Sequence, residues 1–584
     1  MERKKLTFVD QTIRDAQQSL WGFTMRTDHI APIAEIMDKV GFEAVGTVGG
    51  NGFTVQVRAL NEDPWARIRL LSDLMPRTPL ETSYMIASLA SFDIDTSRDI
   101  IALWIKRCAA NGIRRFWNCD YQTDMEAVRH FSEIVKNEGA MNIAGLMYTF
   151  SPVHDTEHWA RKTRMIAKMK DVVDAIRIED ASGVLTPERT RDLLAAVLKN
   201  CDGIPIEFHS HCNSSLAPLC YLEAIKAGVS ILHTSVAPLA NSTSLPAVET
   251  IWRNAKRMGY TSDLDEDALA KVSAHFRKVA EQEGLPIGVP MDYDIYYFEH
   301  QVPGGMMTNL TRQLKEVGKE NLLPWVLEEI IEIRRDLGYP VMATPYSQLV
   351  GAQAVENVIS GERYRNVTDE VIKYILGYYG EPAGPIDQDC KDKIMANPRA
   401  RALTDWRPQG RFKPLEEIRE EVGSALSDDE LLLRIMVPGG FLKNGEPKKG
   451  FRKPVVKPAA SQIAPSEFPT EFEVDVDGEV YRVKISPVSG GTEQADTAAL
   501  PETAPPGKRR GETPAGAVLA GMAGLVLSFE VKLGDTVHAD DQLATIEAMK
   551  MMRHLTAPHG GVVKEILATV GEIVEPQDVV LVVQ

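Results

Sequence analysis

The sequence predicts an α/β protein: a parallel (β/α)8 barrel, then a helical annex, then a small all-β domain. Three observations carry this. Short apolar runs alternate with helical patterns from Leu6 to about Gly259, amphipathic helices then take over, and a duplicated strand pattern ends the chain. At 584 residues the chain is too long for one core and suggests roughly two to four domains. Its 44% hydrophobic and 25% charged residues exclude a wholly disordered chain. The balance of 65 Lys and Arg against 82 Asp and Glu, a net −17, argues against nucleic acid and anionic membrane surfaces as general partners.

In order, the expected barrel strands are Leu6 to Val9, Phe42 to Val48, Pro79 to Ile86, Ile113 to Cys119, Asn142 to Tyr148, Asp174 to Ile178, Ile204 to His209 and Ile231 to Ser235. Eight strands with intervening helices suit closure into a barrel, although an open doubly wound sheet fits the same pattern. Apolar residues three and four apart mark helices at Trp65 to Met75 and Thr190 to Leu198. From about Asp265 to Glu430 helices dominate, among them Leu323 to Leu337 and Asp369 to Tyr379. Alternating residues around Asp477-Gly478 predict a hairpin, and Pro487 to Pro514, rich in Pro, Ala, Gly, Thr and Glu, reads as a linker. The expected divisions are therefore a barrel at 1–263, an annex at 264–455, a hairpin and linker at 456–514, and a terminal domain at 515–584.

The basic start Met1-Glu-Arg-Lys-Lys runs straight into Asp10, Arg14 and Asp15, so no signal peptide is expected, and no apolar run approaches membrane-spanning length. Six cysteines without a C-x-x-C pair suit a reducing, cytoplasmic setting. In the tail, Gly524-Leu-Val, Gly534-Asp-Thr-Val and Asp541 recur as Gly561-Val-Val, Gly571-Glu-Ile-Val and Asp578. Glu547-Ala-Met-Lys-Met551 falls midway between the halves, so pseudo-twofold symmetry puts Lys550 at an exposed hairpin tip. A lone lysine there is ordinarily just solvated; the small Ala548 and the flanking methionines argue for more.

Two stretches near the expected strand ends carry chemistry. Asp10-Gln-Thr-Ile-Arg-Asp-Ala-Gln-Gln-Ser19 follows the first strand, on the face where barrels place their chemistry. Arg14 beside Asp15 also reads as a plain surface ion pair. In His209-Ser-His211 strand alternation sets both imidazoles on one face, which suits a divalent metal with a carboxylate as third ligand. A hydrogen-bonded histidine pair is the bland alternative; Asp15 at the same rim favours metal.

The tail from about Pro514 to Gln584 resembles the biotin carboxyl carrier and lipoyl domains, and Ala548-Met549-Lys550-Met551 resembles the biotinylated sequence, because lipoyl lysines lack the flanking methionines. That resemblance implies a biotinyl (lipoyl-like) domain, covalent biotin on Lys550, and a biotin protein ligase as partner. A flexible linker of about 28 residues would span roughly 30 Å, enough to carry the group between separate sites. The whole chain resembles the carboxyltransferase subunits of the family containing oxaloacetate decarboxylase, pyruvate carboxylase and transcarboxylase. Matching stretches include Met25-Arg26-Thr27, Leu60-Asn-Glu-Asp-Pro-Trp65, Val302-Pro-Gly-Gly-Met306, Asn309-Leu-Thr311, Ser347-Gln-Leu-Val-Gly351 and Gly377-Tyr-Tyr-Gly380.

By this resemblance the barrel is a TIM barrel, and Asp15, His209 and His211 match three ligands of a divalent metal such as zinc, manganese, cobalt or magnesium. Arg14 and Gln18 match groups that hold a keto acid, and Thr243 matches the residue that shuttles a proton between substrate and biotin. A hydroxyl within reach of both partners can do this while a metal stabilises the enolate; on its own, Thr243 could equally cap the next helix. The departures point to an altered acceptor or a weakened metal site. Glu179 stands where the family has a carboxylated lysine, which makes it a candidate fourth ligand, reaching the metal directly or through water. The family's second substrate arginine falls at Met85 or Ile86, its Asp after the histidines is Cys212, its Gln after the threonine is Leu245, and its Glu in the second strand is Gly46. The arginine of the family's Phe-Arg-x-Phe-Asp is also missing from Phe116-Trp-Asn-Cys-Asp120.

The expected function is therefore transfer of a carboxyl group between carboxybiotin and a small organic acid or related acceptor. Pyruvate is expected to bind poorly, since losing a bidentate guanidinium is not conservative. No Walker-type loop or biotin carboxylase sequence is present, so a separate ATP-dependent biotin carboxylase subunit is expected, within a larger complex in which this chain is itself a homo-oligomer. The alternatives are a decarboxylase alpha subunit running the reverse half-reaction, and a carrier and assembly subunit whose barrel is non-catalytic.

Overall fold

The computed structural model describes residues 4–86, 88–89, 96–119, 124–316, 318–343, 346–404, 409–437, 471–476, 479–484, 514, 516–521, 524–539, 541–548, 551–575 and 577–584. Eight parallel strands close into a barrel: β1 (Thr7–Asp10), β2 (Ala44–Gly49), β3 (Leu80–Met85), β4 (Ile113–Cys119), β5 (Met141–Met147), β6 (Ala175–Asp180), β7 (Ile206–Ser210) and β8 (Ile231–Thr234). Closure is direct, Thr7 pairing with Ile231 and Asp10 with Thr234, which disposes of the open-sheet alternative. Several helices start where a side chain caps them. Thr186 accepts from Arg189 N with Pro187 at the first helical position, and Asp265 accepts from Asp267 and Ala268 N.

The barrel interior is not wholly apolar. Glu81 of β3, Arg115 of β4, Arg177 of β6, Glu207 of β7 and His233 of β8 meet across strands that are not all neighbours, which sets them inside the ring. Arg177 donates to Glu81 Oε2 at 2.6 Å and to Glu207 Oε2 at 3.1 Å, and His233 Nε2 lies 3.0 Å from Glu207 Oε2. Such a buried network is tolerated because each charge has a counter-charge and hydrogen bonds. Gly46 of β2 belongs to this layer: a Cβ there would stand 2.4 Å from Gln11 Oε1. Gln11 thus fills the space, donating at 3.0 Å to Glu81, the register partner of Gly46.

The annex is helical. Helices at Gly304–Glu316, Leu323–Asp336, Tyr346–Ser360, Asp369–Ile375, Gln388–Met395 and Pro398–Thr404 share a second core around Val326, Ile330, Leu349, Ile372 and Ile394. The helix expected to run from Asp369 to Tyr379 stops at Ile375, because the chain turns through Gly377 at φ +81°. Helices Leu415–Val422 and Asp428–Met436 return to the barrel, where Leu431, Leu432 and Met436 join its core. Arg334 ties the annex to the barrel, donating to Thr149 Oγ1 at 2.8 Å and to the Phe150 carbonyl at 2.9 Å.

Strands β9 (Glu471–Val476) and β10 (Glu479–Lys484) pair antiparallel as a separate small unit. The terminal domain holds two four-stranded sheets built from β11 (Ala517–Leu519), β12 (Gly524–Phe529), β13 (Thr536–Val537), β14 (Gln542–Ala548), β15 (Met551–Thr556), β16 (Gly561–Ile566), β17 (Ile573–Val574) and β18 (Val579–Val583). The duplication read in the sequence is structural: β16, β17 and β18 repeat β12, β13 and β14. Ala548 pairs with Met551 across the hairpin, and Met549 and Lys550 between them lie outside the described residues. Among the described residues no helix is long and apolar enough to cross a membrane.

Candidate active site at the barrel mouth

Each expected ligand sits at the C-terminal rim. β1 ends at Asp10 and runs at once into a π-helical turn, Thr12–Ala16, whose wide winding brings Arg14 and Asp15 to the mouth. β7 delivers His209, and His211 follows one residue past its end. Their Nε2 atoms lie 3.2 Å apart, and Asp15 Oδ2 is 3.3 Å from His209 Nε2 and 3.6 Å from His211 Nε2. One donor atom from each of the three fits within 4.8 Å, and all three residues are buried. His211 Nδ1 bonds to the Thr243 carbonyl at 2.8 Å, which orients the ring with Nε2 facing the cluster. Asp180 fixes the strand end behind them: Ser210 Oγ donates to it at 2.7 Å, and it accepts from Val184 and Leu185 N.

The electrostatics follow from burial and neighbours. Burial would raise the Asp15 carboxyl, but Arg14 and His211 outweigh it and hold it well below the usual carboxylate range. Burial pushes His209 well down, keeping it neutral, the form that binds metal. Burial also opposes protonation of His211, but Asp15 wins and raises it to about 9. Glu179 of β6 is raised to about 8 by burial. Its Oε1 is 3.4 Å from His209 Nε2, while its Oε2, like His209 Nδ1, has no hydrogen-bond partner among the described residues.

Arg14 is no surface pair. Its Nη1 donates to Asp15 Oδ2 at 2.5 Å, its Nη2 reaches Ser83 Oγ at 3.3 Å, and its guanidinium lies 5.4 Å from the Trp117 ring. Arg177 stacks on the same ring at 4.8 Å. Trp117, at the position of the missing arginine, therefore meets two cations with its ring. Met85 packs beside it with Cys119, Met147 and Ala343, so the end of β3 is apolar. Cys212 and Leu245 are buried, and burial pushes the Cys212 thiol up. Gln18 is half-buried on the helix Gln17–Trp21 that follows the π-turn.

Thr243 does not cap a helix. The next one begins at Val248 with Ala247 as its cap, and the Thr243 hydroxyl donates to the Ser19 carbonyl at 3.0 Å. Asn241 and Ser242 just before it are both left-handed, at φ +67° and +50°, a strained turn of the kind that gathers at functional sites. Gly304 of the annex presses on it, since a Cβ there would lie 2.2 Å from Thr243 Cγ2. The sequence reading missed Ser83, Trp117 as a stacking partner and Gly304 as a contact. Nothing in local pattern pairs a glycine at 304 with a threonine at 243.

Three segments match known protein families: 5–275 the HMGL-like family, 297–484 the conserved carboxylase domain, and 515–583 the domain of biotin-requiring enzymes. The chain is 36% identical to a pyruvate carboxylase subunit of Methanocaldococcus jannaschii, over 93% of this chain and 94% of that protein. It is 32% identical to the 2-oxoglutarate carboxylase large subunit of Hydrogenobacter thermophilus, over 95% and 91%. The carboxyl transferase domain of Rhizobium etli pyruvate carboxylase, solved with pyruvate, shares the fold at a TM-score of 0.67 and 24% identity, over 75% of this chain and 76% of that one.

Proposed function

The chain belongs to the biotin-dependent carboxyltransferase family that includes the Methanocaldococcus jannaschii pyruvate carboxylase subunit and the 2-oxoglutarate carboxylase large subunit, and from that premise we propose that it exchanges a carboxyl group between biotin and a short 2-oxo acid at its barrel mouth. It is an enzyme of that family, and its terminal domain is of the biotin-attaching kind. The observation that carries the proposal is the convergence of Asp15, His209 and His211 at the rim that also holds Arg14 and Thr243.

The donor set fits a divalent metal: one anionic carboxylate, two imidazoles with Nε2 facing inward, of which His211 would give up its proton to the ion, and an unpartnered buried carboxylate oxygen on Glu179. When bound, such an ion supplies a Lewis acid for negative charge on the 2-oxo group, and the biotin we assign to Lys550 supplies the carboxyl carrier. The chain's own residues do the rest. Arg14, pinned by Asp15, Ser83 and Trp117, presents a guanidinium to the acid's carboxylate, and Gln18 offers an amide beside it. Thr243 Oγ1 relays the proton, giving up its bond to the Ser19 carbonyl when the acid arrives. Glu179, neutral or charged, replaces the family's lysine as a flanking group or ligand. A separate biotin carboxylase subunit is the partner we propose.

The relatives' names return pyruvate to the candidate acceptors that the sequence reading had set aside. The apolar end of β3, with Met85 packed on Trp117, favours a second reading in which the acceptor lacks a carboxylate there. The full chain, given free biotin as carboxyl acceptor and offered as donor oxaloacetate or oxalosuccinate, the carboxylated forms of pyruvate and 2-oxoglutarate, tests both. Turnover of one of these acids is expected. Turnover of none would overturn the 2-oxo acid proposal and leave the second reading.

A further inference from the structure

We propose that the annex carries a docking latch for this chain's own carrier domain, formed by Asp369 and Arg399 and read by His554. The inference rests on the functional reading above only in what the docked carrier is for; the contact itself is geometric. His554 lies on β15, four residues past Lys550, a strand length of about 13 Å. Its Nε2 is 3.2 Å from Asp369 Oδ2 and 3.4 Å from Arg399 Nη2.

Each side arranges its own half. On the carrier, Gln542 Nε2 donates to His554 Nδ1 at 2.7 Å, and Thr545 Oγ1 lies 3.1 Å from the same nitrogen. With Nδ1 accepting, Nε2 carries the hydrogen and points it across the boundary. On the annex, Arg399 grips Asp369 through Nε at 2.8 Å and Nη2 at 2.6 Å, a two-point hold that fixes the carboxylate and leaves each oxygen able to accept once more. Burial would raise Asp369, but bonds from Arg399 and His554 keep it well below the usual carboxylate range. Glu370 beside it is buried, and its Oε2 has no hydrogen-bond partner among the described residues. Preorganised halves dock without ordering loose side chains at the moment of contact, which is where association loses free energy. The tether supplies the rest, since a carrier covalently joined to the same chain meets its latch at high effective concentration. The latch would thus act on how long the hairpin stays seated, with His554 a positioning residue.

The test compares biotinylated full-length wild type, His554→Ala and His554→Gln. Amide hydrogen exchange is read at 369–375, with 579–583 as the control for an intact carrier fold. Turnover is read with the tethered carrier and, separately, with added free biotin. In His554→Ala, exchange at 369–375 should rise and tethered turnover should fall roughly fivefold, with 579–583 and free-biotin turnover unchanged. His554→Gln, whose amide can still donate to Asp369, should stay near wild type. Unchanged protection at 369–375 in His554→Ala would overturn the latch, as would a glutamine variant that behaves like alanine. A protection that grows with protein concentration would overturn its assignment to the chain's own carrier. Absence of turnover with either form of biotin would count against the catalytic reading alone, because the exchange result still decides the latch.

Discussion

Asp15 Oδ2 meets Arg14 and both histidines, so on the proposed function one carboxylate oxygen links the group that would hold the acid to those that would hold the ion. His209→Ala should lower bound divalent metal from about one ion per chain to near none; elemental analysis of the purified protein checks this. Gly304→Ala should cut turnover on the order of 10–100-fold with an almost unchanged melting temperature, because the added methyl displaces Thr243 without opening the core. Asp10 offers a pH test. Burial raises its carboxyl to about 7 from a reference of 3.8, against bonds from Thr12. The stability it contributes is present below pH ~4 and is lost as pH rises to ~7. Asp10→Asn should flatten urea-midpoint curves across that window, and an unchanged slope would contradict the assignment. The three ion-site candidates were legible because strand alternation and a strand-end position are local facts. The two arginines over Trp117, and Gln11 filling the space over Gly46, were not: both contacts come from other elements of the fold.

At the scale of elements, the barrel strands were legible to within a few residues from their apolar runs, and the carrier from its repeat. The charged layer inside the barrel was hidden, since a single Arg or Glu in an apolar strand looks like an outward residue until closure brings Glu81, Arg115, Arg177 and Glu207 together. The π-helical turn after β1 was equally invisible, because one extra residue per turn leaves no compositional mark. The joint between barrel and annex rests on Arg334, buried and lowered to about 10 by that burial, with oxygens of Thr149, Phe150 and Pro340 as acceptors. Arg334→Ala should destabilise the protein by about 2 kcal/mol, seen as a lower denaturant midpoint, since the Pro340 carbonyl loses its donor and the buried joint its side chain, while Gln301 still bonds Thr149 and Phe150.

For the whole molecule, the proposed function divides the reaction between a barrel that would hold the acid and a tethered domain that would bring the carboxyl group. Lys550→Arg should abolish turnover through the tethered carrier yet leave turnover of added biotin intact; loss of both would mean that the barrel depends on the modified tail for more than delivery. The most direct measurement of the central claim is turnover of biotinylated Thr243→Ala with bound metal assayed in the same sample. The account predicts wild-type metal content with turnover reduced at least ~100-fold. Full turnover with the metal in place would contradict it.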